Sequence, residues 1–351
     1  MYLAIKEMLH ERLRYSLLTG ILALIALVVF VLSGLAMGLS QGNRLAIDDW
    51  QASEVYLNKN ANKVLAASQL STNDLKRVQA RSKAAVAVYA AVLQSKTTKI
   101  NVSVLATSNK STIMPRVLHG KQITAVDQVL VSQNLLAQGV KIGQHILLGP
   151  DKIATKIVGS YGKSTYSIVP TVYTNLSTMS RIKGQNTNPS NLINGIVATK
   201  SHFSTTQHQG LQKLSIADFI NNLPGYTAQQ STLNGMIYFL FFIALAIVGI
   251  FMFILTLQKR KLFAVMKVQG ISNREILTSI LFQAALMSVI AVVISLILTI
   301  IMAVSLPSQV PFYFQTSQLL IDSLSLFLAA VIGGLASWPS VKNIDPVISI
   351  G

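Results

Sequence analysis

Four apolar runs decide what this chain can fold into. Tyr15 to Leu39, Leu233 to Leu257, Ile276 to Ser305 and Leu319 to Trp338 each come near the roughly 20 residues that carry a helix across a hydrocarbon core. In lipid every backbone polar group must be satisfied within the segment, so runs of this length are read as helices. They leave only 12% of the 351 residues charged, against about 25% in soluble domains. The first run exceeds the about 7 to 15 residues of a signal-peptide core, and no convincing cleavage site follows it. It is read as a retained membrane helix.

Orientation follows from short cationic segments, which stay on the cytoplasmic side. Lys6, Arg12 and Arg14 precede the first run, and five cations against Glu275 alone lie between Gln258 and Ala285. Both places are expected inside, with the tail after Trp338. The prediction is an α-helical membrane protein of the cell membrane, with four transmembrane helices and an extracellular mixed α+β domain between helices 1 and 2. Residues 1–42 would hold the cytoplasmic N-terminus and helix 1, and 43–232 the extracellular domain. Residues 233–351 would hold helices 2–4, the basic segment 258–275 and a cytoplasmic tail. The outside domain carries 20 Lys and Arg against 7 Asp and Glu. That excess suits contact with anionic membrane lipids or an anionic cell wall, or it serves solubility alone.

Between the first two helices the pattern is mixed. Glu54–Asn58, Ala85–Gln94 and Lys99–Thr107 read as strands, and Ser71–Ser82 as a helix opened by a polar cluster. QVLVSQNLLAQGVKIGQHILLG reads as strand, short helix, glycine turn, strand. A strand pair follows it, and then a helix from Ser215 to Asn222 with Ser215 as cap. The absence of cysteine excludes disulfides, thiolate metal sites and cysteine catalysis.

The basic segment is more than a hydrophilic loop. Leu262, Phe263, Val265, Met266 and Val268 give it an apolar face among Lys259, Arg260, Lys261 and Lys267. Gly270 can then stop one helix and Ser272 cap the next. This pattern resembles the cytoplasmic coupling segment of MacB/FtsX-type ABC transporter permeases; the plainer reading is a positive-inside loop with a surface helix. MYLAIKEMLHERLRYSLLTG, FINNLPGYTAQQSTLNGMIYFLFF and SWPSVKNIDPVISIG look like the haem-efflux (HrtB-like) and DevC-like branch of that class, so the resemblance covers nearly the whole chain. It implies two copies of this chain working with two copies of a cytoplasmic ABC ATPase subunit. Lys259, Arg260, Lys261, Phe263, Met266 and Gly270 would couple the two proteins. It further implies haem as transported substrate, no permanently bound cofactor, and no enzymatic activity in this chain. The alternatives are FtsX-like signalling to a cell-wall hydrolase, or export of a peptide, antibiotic or lipid.

Gly162-Lys163-Ser164-Thr165 imitates a phosphate-binding loop, but Ile157 stands where G-x-x-x-x-G-K-[ST] needs glycine. ATP would therefore be bound only by the partner. The spans hold one acidic residue, Asp322, read as interfacial near the outer end of the last helix, so an ion-coupled carrier is disfavoured. Gly34 and Gly38 form a G-x-x-x-G step that lets two helices approach closely, either within the chain or as a dimer contact.

A haem site needs His, Met, Tyr or Cys as axial ligand. Met37, Tyr226, Met236 and Tyr238 are placed at the outer membrane rim, with Phe239 to stack, and Tyr166, Tyr161 and Tyr173 could join from the outer domain. Interfacial tyrosines and gap-filling methionines are common without any ligand. His119, His145, His202 and His208 lack metal-ligand spacing, and no nucleic-acid or hydrolytic signature is present.

Overall fold

A computed structural model describes residues 2–95, 98–184, 193–199, 210–306 and 310–343, with side chains from Lys6 onward. The last part of the expected tail, including Asp345 and Pro346, and His202 and His208 lie outside the described residues. The chain divides into two compact units, residues 1–38 with 230–351, and residues 39–229.

The first unit is helical. It is built from α1 (Tyr2–His10), α2 (Arg12–Asp49), α7 (Tyr226–Gln258), α8 (Arg260–Val268), α9 (Asn273–Ser305), α10 (Thr316–Leu335) and α11 (Trp338–Lys342), with α2 and α7 both crossing the division. Four helices are long and apolar enough to cross a membrane: Arg12–Asp49, Tyr226–Gln258, Asn273–Ser305 and Thr316–Lys342. α7 and α9 have 33 residues each, about 50 Å at 1.5 Å per residue, against about 30 Å of hydrocarbon. Each of the four expected spans lies at the apolar centre of one of these helices. α2 continues ten residues past Leu39, through QGNRLAIDD, which holds no proline to stop it.

Small residues set the helix spacing. A Cβ on Gly333 would come within 2.6 Å of the Leu245 carbonyl, so glycine lets α10 approach α7 at backbone distance. α9 buries Ala284, Met287, Ser288, Ala291, Ser295 and Thr299 along one face. Thr299 satisfies its hydroxyl on the Ser295 carbonyl at 2.6 Å, the local bond that makes hydroxyls tolerable in lipid. Asp322, read as interfacial, lies near the start of α10 and faces inward. It is 1% exposed inside the helix bundle and accepts a hydrogen bond from Gln318 Nε2 at 2.9 Å. Gln318 lies one helical turn before it, so the carboxyl finds a partner on its own helix.

The second unit is α+β, as the alternation predicts. Its strands are β1 (Glu54–Asn58), β2 (Ser82–Gln94), β3 (Lys99–Thr107), β4 (His119–Gly120), β5 (Gln128–Ser132), β6 (His145–Leu148), β7 (Ile153–Tyr161), β8 (Thr165–Tyr166), β9 (Val169–Asn175), β10 (Gly195–Thr199) and β11 (Leu211–Ser215). Among the described residues they pair in the order β11-β1-β10-β2-β3-β9-β5-β7-β4, with β6 on β2 and β7, and β8 on β9. The sheet is mixed, with β3–β9 and β5–β7 parallel. β9 reads VPTVYTN, and its last five residues are buried, the pattern of a strand covered on both faces.

Among the described residues, four short α-helices, α3 (Thr72–Arg77), α4 (Gln133–Leu136), α5 (Leu176–Ile182) and α6 (Ile216–Asn221), and two 3-10 turns, Lys59–Ala61 and Leu65–Ala67, accompany the sheet. Ser215 caps α6 through the Asp218 N–H. α3 opens with a Ser71–Asp74 capping box but ends at Arg77, short of the expected Ser82. Val78 is already extended and buried, and Ser82 is needed in the β2–β10 ladder opposite Thr199. Strand pairing outweighs the few tenths of a kcal/mol per residue that helix propensity offers there.

Candidate functional site

The basic segment begins with almost no interruption of the helix before it. The Lys259 N–H still reaches the Leu255 carbonyl at 3.1 Å, and α8 starts one residue later. Gly270 ends α8 with φ +87°, a conformation that costs glycine least. The Ile271 N–H closes on the Met266 carbonyl at 3.0 Å, the 6→1 bond of a Schellman end. Ser272 then opens α9 in a reciprocal capping box with Glu275. Both ends of α8 are therefore fixed by local chemistry.

Burial divides α8 into two faces. Phe263 and Ala264 point inward, 7% and 0% exposed, and pack with Tyr15, Leu18, Ile276 and Ile280. Met266 packs on the same cluster. Lys267 donates to the Val341 carbonyl at 2.8 Å and so ties α8 to α11. Arg260, Lys261, Leu262, Val265 and Val268 form the exposed face. Phe263 is thus a core residue of this chain rather than an open contact for another protein.

Lys259 also turns inward. Its Nζ lies 2.7 Å from Glu7 Oε1, with side-chain exposures of 10% and 18%, and donates to the Tyr15 hydroxyl at 3.0 Å. The Tyr15 hydroxyl donates to Gln283 Oε1 at 2.9 Å. Gln283 Nε2 closes the circuit on Glu7 Oε2 at 2.5 Å. Four side chains from α1, α2, α9 and the head of α8 thus form one hydrogen-bonded ring. Burial works against the Lys259 ammonium, but the bonds to Glu7 and Tyr15 outweigh it and hold its pKa above the ordinary lysine value. Beside the ring lies a cleft of about 410 Å³, walled by α1, α8 and α9 and including Leu262, Phe263, Met266 and Ile280.

Glu7, Tyr15 and Gln283 are partners of Lys259 in this ring that sequence reading missed. Glu7 and Lys259 are 252 positions apart, so no spacing rule reaches them. One signal was available, since Gln283 is the single side-chain amide in the run Ile276–Ser305.

The expected haem residues fall in both units. Tyr166 and Tyr226 sit together in one core of the α+β unit, each 8% exposed. The Tyr226 hydroxyl is shared with Ser40 at 2.8 Å. Burial pushes the Tyr166 phenol well above its ordinary pKa, which works against the phenolate an iron would take. Tyr161 and Tyr173 are 2% exposed, and their phenols are pushed up for the same reason. Met37, Met236 and Tyr238 belong to the helical unit. Met37 is half-buried on α2, while Met236 and Tyr238 on α7 are 50% and 67% exposed. Two residues apart on a helix, the latter pair point in different directions. The Gly34–Gly38 step is filled from within the chain: a Cβ on Gly34 would overlap the Phe312 ring, and one on Gly38 the Pro311 carbonyl.

The run Gly162-Lys163-Ser164-Thr165 forms a turn into β8, which pairs with β9 from Thr165 opposite Pro170. No helix follows it to receive a phosphate.

Residues 234–346 match the family described as FtsX-like permease C-terminal. Along its whole length the chain is 26% identical over 356 residues to a protein of Staphylococcus haemolyticus named hemin transport system permease protein HrtB, covering 100% of this chain and 99% of that one. A Staphylococcus epidermidis protein of the same name gives the same identity and coverage. An ABC transporter permease of Mycobacterium tuberculosis is 26% identical over 281 residues, 76% of this chain and 74% of that one. The solved extracellular domain of the noncanonic ABC-type transporter YknZ from Gram-positive bacteria aligns with 46% of this chain and 99% of its own at 11% identity and TM-score 0.34, too slight a likeness to carry an argument. Residues 234–346 therefore match an FtsX-like permease domain, in a chain with four membrane-length helices that is similar over its whole length to ABC transporter permeases.

Proposed function

We infer that this chain is the permease subunit of an ABC-type efflux system that moves haem out of the membrane, driven by a separate ATPase. The exposed cationic and apolar face of α8 carries this reading. It is a short helix with both ends pinned, set directly on the end of α7, and offering Arg260, Lys261, Leu262, Val265 and Val268 to a partner. The relatives named as hemin transport permeases cover the full chain, which supports haem as the cargo.

In this mechanism two ATPases close on ATP and push the α8 of two permease copies. The Lys259–Glu7–Tyr15–Gln283 ring makes α1, α2 and α9 move with α8. α7 runs unbroken from Tyr226 to Gln258 and carries the displacement along its axis. With the N-terminus, α8 and the tail in the cytoplasm, the α+β domain stands outside, as the positive-inside rule directs. Haem enters the bilayer by its apolar face, so a site for it belongs on an open helix surface. Of the five residues singled out, Met37, Met236 and Tyr238 remain the candidates to change first, because the tyrosines at 166 and 226 are closed off in a core.

The test combines partner and cargo. Arg260→Glu with Lys261→Glu is expected to abolish stimulation of the partner ATPase and to sensitise cells to haem, while the protein still reaches the membrane. Haem tolerance unchanged after deletion of the gene would remove haem as cargo. Full stimulation in the charge-reversed variant would remove α8 as the contact.

A further inference from the structure

The α+β unit contains an open cavity of about 500 Å³, within the size range of small-molecule sites. Trp50, Tyr161 and Tyr173 line it, each no more than 3% exposed. The Trp50 indole N–H donates to the Tyr173 hydroxyl at 3.0 Å, and the two tyrosine rings meet edge to face at 5.4 Å. The Tyr161 hydroxyl is bound to Thr171 at 2.7 Å. These polar tips are already paired and the rings are almost fully covered, so the floor of the cavity presents a ligand only with a narrow, neutral and rigid aromatic edge. Its rim is charged. Arg116 and Lys163 are exposed there, and neither makes an ion pair among the described residues. Asp49 stands on the same rim, likewise exposed and without an ion pair among the described residues.

Two unpaired cations above an aromatic floor select for a particular kind of molecule. Arginine and lysine on an open rim bind carboxylates through charge-assisted hydrogen bonds, and aromatic edges favour a flat apolar body. The geometry points to a binding site for a flat molecule bearing two carboxylates, with Arg116 and Lys163 each taking one and Asp49 weakening the hold by repulsion. Lys163 thereby finds a role outside the phosphate-loop motif it imitates. Haem belongs to this chemical class, and the inference rests on the efflux reading only for the choice of probe.

Trp50 is one of two tryptophans in the chain, so Trp338→Phe leaves it as sole reporter. In this background the full chain in nanodiscs is titrated with metal-free protoporphyrin IX and, separately, with its dimethyl ester. Saturable quenching of Trp50 by the free acid is expected, weakened about a hundredfold in Arg116→Gln/Lys163→Gln, about tenfold for each charge-assisted hydrogen bond lost. Asp49→Asn is expected to tighten binding by about threefold, the size of an exposed charge interaction; misfolding could not produce a gain. The ester is expected to bind the parent no better than the free acid binds the double variant. Equal titrations of parent and double variant would overturn the site, as would an ester that binds as tightly as the acid. Because quenching reads the cavity and haem tolerance of cells reads the cargo, each inference fails by its own measurement.

Discussion

Glu7→Gln isolates the ring at the head of α8. The change keeps the shape of the side chain and removes its charge, which strands the Lys259 ammonium in a place where its side chain is only 10% exposed. Breaking one partner of a buried ion pair costs about 3 to 5 kcal/mol. With Glu7 still 18% exposed, the lower end applies, so about 3 kcal/mol is expected for Glu7→Gln and similarly for Lys259→Met. The double variant leaves no charge uncompensated and should lose much less than the sum. A coupling of about 2 kcal/mol, within the range for residues in direct contact, is therefore expected. The four proteins are compared by SDS-induced unfolding in mixed micelles, with Tyr15→Phe as a fifth that removes the ring hydroxyl. Additive losses would show that Glu7 and Lys259 act independently and would refute the ring as a unit. A second readout separates packing from coupling. Where basal ATPase assembly persists, transport per ATP should fall in the single variants and recover in the charge swap Glu7→Lys/Lys259→Glu.

Further outcomes follow from the same geometry. Phe263→Asp should destabilise the chain itself by several kcal/mol (about 3 to 5 for a lost buried aromatic), whereas Val265→Asp on the exposed face should leave folding intact and weaken the partner contact, read by thermal stability against co-purification of the ATPase. Gly38→Ala is expected to cost about 1 to 3 kcal/mol through overpacking against Pro311; a dimer contact at that step would instead show as lost self-association at unchanged stability. Cysteines at Ser108 and Gln269, both exposed, should differ in labelling by an impermeant maleimide on intact cells, Ser108→Cys reacting and Gln269→Cys not; the reverse result overturns the orientation. Tyr161, Tyr166 and Tyr173 have raised pKa values from burial, so they stay neutral where an unfolded tyrosine ionises near 10. Their contribution to stability is full below about pH 10 and is lost as the pH rises further; absorbance at 295 nm should show these three of the ten tyrosines ionising only with unfolding.

The helical unit was legible because the bilayer is a demanding solvent. A run such as Leu233–Leu257 can be little else than a helix, and its centre was found from hydropathy alone. Its ends were not. α2 continues through QGNRLAIDD to Asp49 because nothing stops it, and hydropathy ceases to inform once the chain leaves the apolar zone. Strands in the α+β unit were found where alternation was strong, as in Lys99–Thr107. The helix expected over Ser71–Ser82 ends at Arg77 because Ser82 pairs across the sheet with Thr199, a partner far away in sequence. Asp322 shows a related limit: depth along a helix can be read from the chain, but which side faces the bundle cannot.

The basic segment shows the same limit applied to function. Its sequence announced a pinned amphipathic helix, and Gly270 and Ser272 stand where that reading needs them. Sequence cannot assign a polar or apolar side chain to an inner or outer face when both faces are amphipathic. Phe263 looks like a hand held out to a partner, and the structure spends it on Ile276 and Ile280 in the chain's own core. Lys259 looks like a surface cation, yet it is the one that closes the buried ring. A helix that had to grip a partner with every residue could not also be held firmly at its base. Phe263 and Lys259 fix α8 to α1, α2 and α9, and Arg260, Lys261, Leu262, Val265 and Val268 stay exposed, which on the proposed coupling is the face that would receive the ATPase. On that proposal a push on the exposed face would be transmitted rather than absorbed. This division predicts an asymmetry: substitutions on the exposed face should lower affinity for the ATPase at constant transport per ATP once the complex is saturated. Substitutions in the ring should leave affinity unchanged and lower the transport obtained per ATP. Titrating the ATPase against each class of variant in reconstituted vesicles separates the two, and identical behaviour of both classes would refute the division.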